Sequence, residues 1–374
     1  MRVAVNTRLL IKNKMDGIGR FTFETLKRIT KKNPQVEFHF IFDRKFSSEF
    51  LFSDNIIPHI LSPATRHPIL WYVWFELKLP KLIKKINPHL FFSPDGFIST
   101  KLSVPTITTI HDINFEHRPE DLAWSHSFFY RYFFKKYAQL SNQIITVSNF
   151  SKKDIIKQYE IDEDKITVIY NGVSNDFCKI SELKRVEIKN KYSQGEDFFI
   201  FIGSLHKRKN INTLLLVFDS YRKNGGKTKL MIIGQKKWMD SKTNTTYQEM
   251  KFKKEVIFLG QITQRELIPI LGSAKGLFFI SLFEGFGLPI IEAMKSGIPV
   301  ITSNTSAMPE IADNAALIVN PYNTTEIMHA ISKLDGDESL RLELINKGYE
   351  RVKLFDWEIT ADKIWQLIKS TANI

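Results

Sequence analysis

The sequence predicts an α/β protein built from two doubly wound domains, each a mainly parallel sheet with helices on both faces. Three observations lead there. Short apolar runs rich in Phe, Ile and Val, of the kind buried in parallel sheets, recur in both halves and alternate with stretches of helical periodicity. Several of these runs break at a glycine-containing loop that leads directly into a helix, as at Asp16-Gly17-Ile18-Gly19 and Glu284-Gly285-Phe286-Gly287. With 374 residues, the chain also exceeds what one hydrophobic core ordinarily fills.

Composition narrows the class. A hydrophobic content of 43% is that of a soluble globular protein. The single cysteine, Cys178, excludes an internal disulfide framework and a cysteine-based zinc site, and suits a reducing cytoplasm. The first residues, MRVAVNTRLLIKNKM, lack the long apolar centre of a signal peptide and read as a first strand. Residues 276–294 are apolar enough to raise the question of a membrane span, but Gly285, Gly287, Pro289 and Glu284 in mid-run argue against it. The net charge of +13 suits an anionic partner: a membrane surface, a phosphorylated lipid or a nucleic acid.

In chain order, residues 2–6 read as a strand and 7–16 as a loop, and Gly17 and Gly19 lead into a helix from Phe21 to about Lys31. Strand, glycine loop and helix make half of a nucleotide-binding βαβ unit, although the G-x-G-x-x-G fingerprint is absent. Residues 38–42 are a second strand. Residues 67–87 carry Trp71, Tyr72, Trp74 and Phe75 followed by Lys78, Lys81, Lys84 and Lys85, and residues 124–137 are again aromatic and end in Lys135 and Lys136. Both suit helices lying on anionic lipid, or alternatively core helices with a solvated basic end, and Pro80 interrupts the first. Strands at 89–93 and 106–110 end in Pro94-Asp95-Gly96 and in His111-Asp112. Groups at strand C-termini in an open parallel sheet face the ligand crevice, which places His111 well. A strand at 144–147, a helix at 152–158 begun by Ser148 to Ser151, and a strand at 166–169 complete the unit. The polar stretch 176–196 reads as a hinge.

A second series begins with the strand 198–202, whose loop carries Gly203, Lys207, Arg208 and Lys209 before a helix at 211–221. Arg and Lys between strand and helix are placed to hold phosphates, Arg as a bidentate fork and Lys as a point charge. Residues 229–233 are a strand, 236–254 a polar and irregular excursion, and 256–259 a strand ending near Ile262 ahead of a helix at 264–273. The run 277–282 is then a buried strand, and Pro289 opens the next helix, where its missing N–H would be unpaired anyway. Gly285 and Gly287 leave backbone N–H groups uncovered beside that helix N-terminus, which attracts a phosphate. Glu284 and Glu292, with seven residues between them, are poor charge partners for a diphosphate but good hydrogen-bond acceptors for sugar hydroxyls. Together they form a sugar-nucleotide pattern. A strand at 299–302 and a final helix at 359–369, with Ile364, Trp365 and Ile368 on one face, close the chain.

Glu284-Gly285-Phe286-Gly287-Leu288-Pro289-Ile290-Ile291-Glu292 resembles the E-x7-E motif of retaining glycosyltransferases with the GT-B fold, the large family 4 group. The resemblance covers essentially the whole chain. It implies two Rossmann-like domains across a cleft: an acceptor-side domain of residues 1–175, a hinge at 176–196, a nucleotide-sugar domain of 197–355, and residues 356–374 crossing back onto the first. It implies transfer of a sugar from a nucleoside diphosphate sugar to an acceptor hydroxyl with retention. Glu284 would then hold the donor sugar, Glu292 the ribose, and Arg208 and Lys209 the departing diphosphate. Main-chain groups of Gly285, Phe286, Gly287, Leu288 and Gly203 would line the donor, and Ile262 would meet the base. Gly17, Gly19 and His111 would approach from the other domain, with His111 near the anomeric carbon. No cofactor and no metal are expected, since two cations and a helix end supply positive charge.

The segments TSNTSAMPEIADNAALIVNP and GIGRF further resemble mannosyltransferase-like members that build bacterial surface polysaccharide on a lipid carrier. GDP-mannose is then the leading donor and a lipid-linked or saccharide acceptor the partner. The expected location is cytoplasmic, peripheral on the inner face of the membrane, with no nucleic acid bound. The alternatives are a UDP-sugar donor or, from another class, a non-catalytic anion- or nucleic-acid-binding protein, which would leave the paired glutamates unexplained. An oxidoreductase should carry the missing glycine fingerprint and an acid about 20 residues on. A phosphorylase-like enzyme needs a cofactor lysine.

Overall fold

The structure, a computed structural model, describes residues 1–235 and 239–372. The chain divides into two compact units, the first of Met1–Gly172 with Trp357–Ile374 and the second of Val173–Asp356.

The first unit holds a seven-stranded sheet of β1 (Arg2–Asn6), β2 (Glu37–Phe42), β3 (Ile56–Ile60), β4 (Leu90–Ser93), β5 (Thr106–Thr109), β6 (Gln143–Thr146) and β7 (Ile166–Val168). Its order is β3-β2-β1-β4-β5-β6-β7, and every pairing is parallel. Alternation along each strand feeds two cores. Val3 and Val5 pack with Phe21, Leu26, Ile29 and Trp357 on one face, whereas Ala4 packs with Trp71, Trp74, Phe75 and Phe134 on the other. A sheet buried on both faces requires uninterrupted apolar strands, which is why these read as short Phe/Ile/Val runs.

The C-terminal helix Trp357–Thr371 covers the first of these faces beside the helix Gly17–Lys32. Ion pairs of Arg28 and Lys32 with Glu358 and of Lys32 with Asp362 rim the contact. Exposed pairs of this kind contribute at most about 1 kcal/mol each. Burial of Trp357, Ile364 and Ile368 holds the helix in place.

The second unit holds six parallel strands: β8 (Phe198–Ile202), β9 (Lys229–Ile233), β10 (Val256–Gly260), β11 (Gly276–Phe279), β12 (Val300–Ser303) and β13 (Leu317–Val319). Their order is β10-β9-β8-β11-β12-β13.

Three expectations differ from the structure and one strand, β3, went unread, each for a local reason. The expected hinge 176–196 contains the helix Glu182–Ser193, capped by Ser181; with only Ile188 and Ser193 buried, its apolar stripe is too thin to read. The expected irregular excursion holds the helix Ser241–Glu249, capped by Asp240 and almost wholly solvated; residues 236–238 of that stretch lie outside the described residues. β3 is an edge strand with Ile57 and Ile60 exposed and Pro58 tolerated, so it shows no apolar run. Pro80 does not break the segment 67–87. A π-helical turn, Val73–Lys78, joins Pro68–Tyr72 to Leu79–Ile86, and Pro80 sits in the first turn of the last piece, where no N–H is needed.

Candidate functional site

In a doubly wound sheet, ligands collect at the C-terminal edge where the strand order reverses. In the second unit the reversal lies between β8 and β11, and the loops that leave those two strands carry Arg208, Lys209 and Glu284. The Glu284 carboxylate is buried and bridges both cations. Arg208 Nη1 donates to Oε2 at 2.9 Å and Lys209 Nζ to Oε1 at 2.5 Å. Arg208 also donates to the Phe283 carbonyl at 3.0 Å, and Leu282 N donates to the Arg208 carbonyl at 2.7 Å, so side chain and main chain lock the two loops together. The Lys209 ammonium lies 4.8 Å from the centre of the Phe279 ring. Burial alone would push the Glu284 carboxyl up, but the charges of Arg208 and Lys209 outweigh it and hold the pKa at about 2. Glu284 is thus an anion and a pure acceptor at any physiological pH. Two cations against one carboxylate leave this triplet with an excess of positive charge.

The helix after β11, Leu288–Lys295, starts at Gly287, which has φ +106°. That left-handed backbone favours glycine, and a Cβ there would stand 3.0 Å from Ile290 Cδ1. Pro289 lies in the first turn, as expected. Gly285 and Gly287 are buried in the turn between Glu284 and this helix, and the Phe286 side chain packs edge-on against Phe355 at 5.7 Å, so Phe286 can offer a ligand only its main chain. Leu288 and Glu292 are half-buried on the helix itself. Gly203 ends β8. Its carbonyl oxygen would lie 1.9 Å from a Cβ on Gly234, so the main chains after β8 and β9 meet without room for a side chain. Ile262 follows β10 at the sheet edge, ahead of the helix Gln264–Gly272, and the neighbouring Gln261 side chain accepts from Gln235.

In the first unit the strand order reverses between β1 and β4. Gly17 and Gly19 open the helix after β1. The Asp16 side chain accepts from Gly19 N at 2.9 Å, and a Cβ on Gly19 would stand 3.0 Å from the Leu9 carbonyl oxygen. His111 follows β5, with its ring edge-on to Phe21 of that helix at 4.9 Å and its Nε2 2.9 Å from the Pro94 carbonyl. Burial lowers the His111 pKa, so the ring is neutral at pH 7; Nε2 then donates to Pro94 and Nδ1 is the acceptor. The structure therefore gathers Gly17, Gly19 and His111 at one edge of the first sheet. It gathers Arg208, Lys209 and Glu284 at the corresponding edge of the second. Ile262 lies two strands away from β8, at the end of β10.

Sequence reasoning passed over two groups. Ser306 Oγ accepts from Glu284 N at 3.0 Å, and Ser306 itself adopts φ +53° to do so. At the first sheet's reversal point, Asp95 binds Arg8 Nε at 2.5 Å and Asn6 Nδ2 at 2.8 Å, and all three are buried. The rule that strand ends face ligands would have found Asn6, which ends β1, and Arg8, two residues beyond it. The chain also holds two Asp-x-Asp spacings, both occupied structurally. Asp162 caps a short turn before β7, and Asp335 accepts from Tyr221, Thr228 and Lys275. Among the described residues, no group of three or more His, Cys, Asp or Glu converges as metal ligands would.

Comparison with known proteins identifies both domains. Residues 184–351 match the family model for glycosyl transferases group 1, and residues 15–177 match that for glycosyltransferase family 4. O-antigen chain mannosyltransferase B of Escherichia coli is 25% identical over 368 residues, spanning 93% of this chain and 94% of the relative. O-antigen chain mannosyltransferase RfbU of Salmonella typhimurium is 29% identical over 287 residues, 75% of each chain. Among solved structures, sucrose-phosphate synthase from Thermosynechococcus elongatus matches with a TM-score of 0.79 at 16% identity, over 99% of this chain and 98% of that one. HepE of Anabaena, solved with UDP and glucose, matches with a TM-score of 0.77 at 15% identity, over 99% of this chain and all of the other (100%). At such identities these two carry the fold alone. The chain belongs to the glycosyltransferases of the GT-B fold, with a family 4 domain in its N-terminal half and a group 1 domain in its C-terminal half.

Proposed function

We propose that the protein transfers mannose from GDP-mannose, with retention of anomeric configuration, to a lipid-linked or saccharide acceptor in cell-surface polysaccharide synthesis. The observation that carries this reading is the buried Glu284 carboxylate held between Arg208 and Lys209 where the strand order reverses. Cleavage of a sugar–diphosphate bond places charge on the departing diphosphate, and preorganised donors in a buried site stabilise such charge. Arg208, Lys209 and the amides of Gly287 and Leu288 supply them. Glu284, ionised and unable to donate, accepts from the hydroxyls of the donor sugar, and Glu292 accepts from the ribose. His111, neutral, assists near the anomeric carbon. In this reading no metal is required, because two cations and a helix N-terminus provide the positive charge.

Mannose is favoured because both relatives described above are named as O-antigen mannosyltransferases. A UDP-sugar donor is the second reading, since HepE was solved with UDP-glucose. A thermal-shift panel of GDP, UDP, ADP and their sugars separates the two, because a ligand that binds the folded state raises its melting temperature. GDP and GDP-mannose should give the largest shifts. Stabilisation by UDP alone would replace the donor, and none by any nucleotide would sink the reading. The anomeric configuration of the product, read by NMR, tests retention.

A further inference from the structure

The helix Trp124–Leu140 is apolar on two sides, and only one of them faces the core. Inward, Phe129, Phe134, Tyr137 and Ala138 pack beneath the sheet. Outward, Trp124 is 80% exposed, Phe128 58% and Tyr132 50%. Spaced one turn apart, these three rings stack in a ladder, Trp124 on Phe128 at 5.7 Å and Phe128 on Tyr132 at 5.9 Å. The band continues across to the neighbouring helix. Tyr132 meets Phe133 edge-on at 5.0 Å, and Phe133 meets Tyr72 at 6.3 Å, where Tyr72 and Ile69 are again exposed. Single exposed apolar residues are ordinary, but a continuous aromatic band across two helices marks a surface that something covers.

Charge indicates what covers it. The Lys136 ammonium lies 3.6 Å from the centre of the Tyr132 ring, at the end of the ladder. The helical segment that carries Tyr72 runs on into Lys78, Lys81, Lys84 and Lys85, all exposed. Of the acids near the ladder, Glu116 pairs with Arg131, Asp121 with Arg118 and Glu160 with Lys135. A second copy of the chain docked on this band would set these lysines against their own images, in a protein of net charge +13. A surface of anionic lipid headgroups is complementary to them, and amphipathic rings settle at headgroup depth. Trp71, Trp74 and Phe75, which the sequence also offered to lipid, are instead buried in the core.

We infer that Trp124, Phe128, Tyr132, Tyr72 and Ile69, flanked by the lysines of residues 78–85 and by Lys136, form a face that docks on an anionic bilayer. Among the described residues no helix is long and apolar enough to cross a membrane. This deepens the reading of a lipid-linked acceptor, but its test needs neither donor nor acceptor. The full chain is sedimented with vesicles of phosphatidylcholine alone or mixed with phosphatidylglycerol. Wild type should bind the anionic vesicles at least ten-fold more tightly and release with salt. The triple variant Trp124→Ser, Phe128→Ser, Tyr132→Ser should lose at least ten-fold, as should Lys81→Glu, Lys84→Glu, Lys85→Glu, both with unchanged melting temperature and unchanged stabilisation by GDP. Equal binding by wild type and the aromatic variant would overturn the inference. So would a wild-type dimer that the aromatic variant dissolves without any change in vesicle binding. Loss of GDP stabilisation in wild type would fall on the proposed function and leave this face untouched.

Discussion

Replacing Glu284 by Gln keeps the shape of the site and removes its charge, so the effect can be worked from the structure. The carboxyl is buried and its pKa falls from an ordinary 4.5 to about 2, the pull of Arg208 and Lys209 exceeding the penalty of burial. At about 1.4 kcal/mol per pH unit, that gap favours the ionised form in the fold by about 3 kcal/mol. Gln stands in for the protonated acid. Glu284→Gln should therefore destabilise the second unit by about 3 kcal/mol at pH 7, a fall in melting temperature of roughly 6–12 °C for a unit of this size. The sign with pH is fixed by linkage. A group whose folded pKa is depressed contributes its stability above the unfolded value of 4.5 and loses it as pH falls through about 2. The difference between variant and wild type should thus shrink to roughly half at about pH 3. Differential scanning calorimetry across pH reads both quantities. In the same variant, GDP should bind as well as before or better, since the Glu284 charge no longer competes for the two cations, while sugar transfer falls at least about a hundred-fold. A variant as stable as wild type at pH 7, or a loss independent of pH between 7 and about 3, would refute the electrostatic account of the triplet.

Three other outcomes follow from the packing. Gly234→Ala places a methyl group 1.9 Å from the Gly203 carbonyl oxygen, which must move the loop after β8; a loss on the order of 3 kcal/mol in denaturant titration is expected, and a silent substitution would contradict the close approach. Asp95→Ala leaves the buried Arg8 guanidinium without its carboxylate and should destabilise the first unit by about 3–5 kcal/mol, measured by urea unfolding. His39, His59 and His111 are each held below the ordinary 6.5, burial being the largest cause. Neutral in the fold, they contribute stability that is complete above pH 6.5 and lost as pH falls through their folded values. The melting temperature should therefore decline from pH 7 toward pH 5, before the carboxylates titrate.

The elements that could be read from the sequence are those with an unambiguous physical signature. Buried central strands such as β4, β8 and β11 announce themselves because both faces must be apolar. Glu284, Arg208 and Lys209 stood out because charged residues in loops between an apolar strand and a helix have no packing reason to be there. Their mutual pairing could not be read, since the two loops are 75 residues apart and meet only because β11 lies beside β8. The edge strand β3 and the helix Glu182–Ser193 escaped because each buries too little to impose a period on its sequence. In the segment 67–87, the π-helical turn shifts the register of the faces. Composition alone could not tell that Trp71 and Trp74 turn inward while Tyr72 turns out. Arg8 lay in a loop and Asp95 at a strand end, and only the reversal of strand order showed that the two pair.

In the proposed reaction a pyrophosphate is gripped by Arg208 and Lys209 at the reversal point of the second sheet. Isothermal titration of GDP and GMP into wild type and into the double variant Arg208→Ala, Lys209→Ala tests it most directly. The account predicts that wild type prefers GDP to GMP strongly, and that the double variant, still melting cooperatively, binds both weakly and nearly equally. Undiminished preference for GDP in that variant would contradict the account, because the diphosphate would then be held elsewhere.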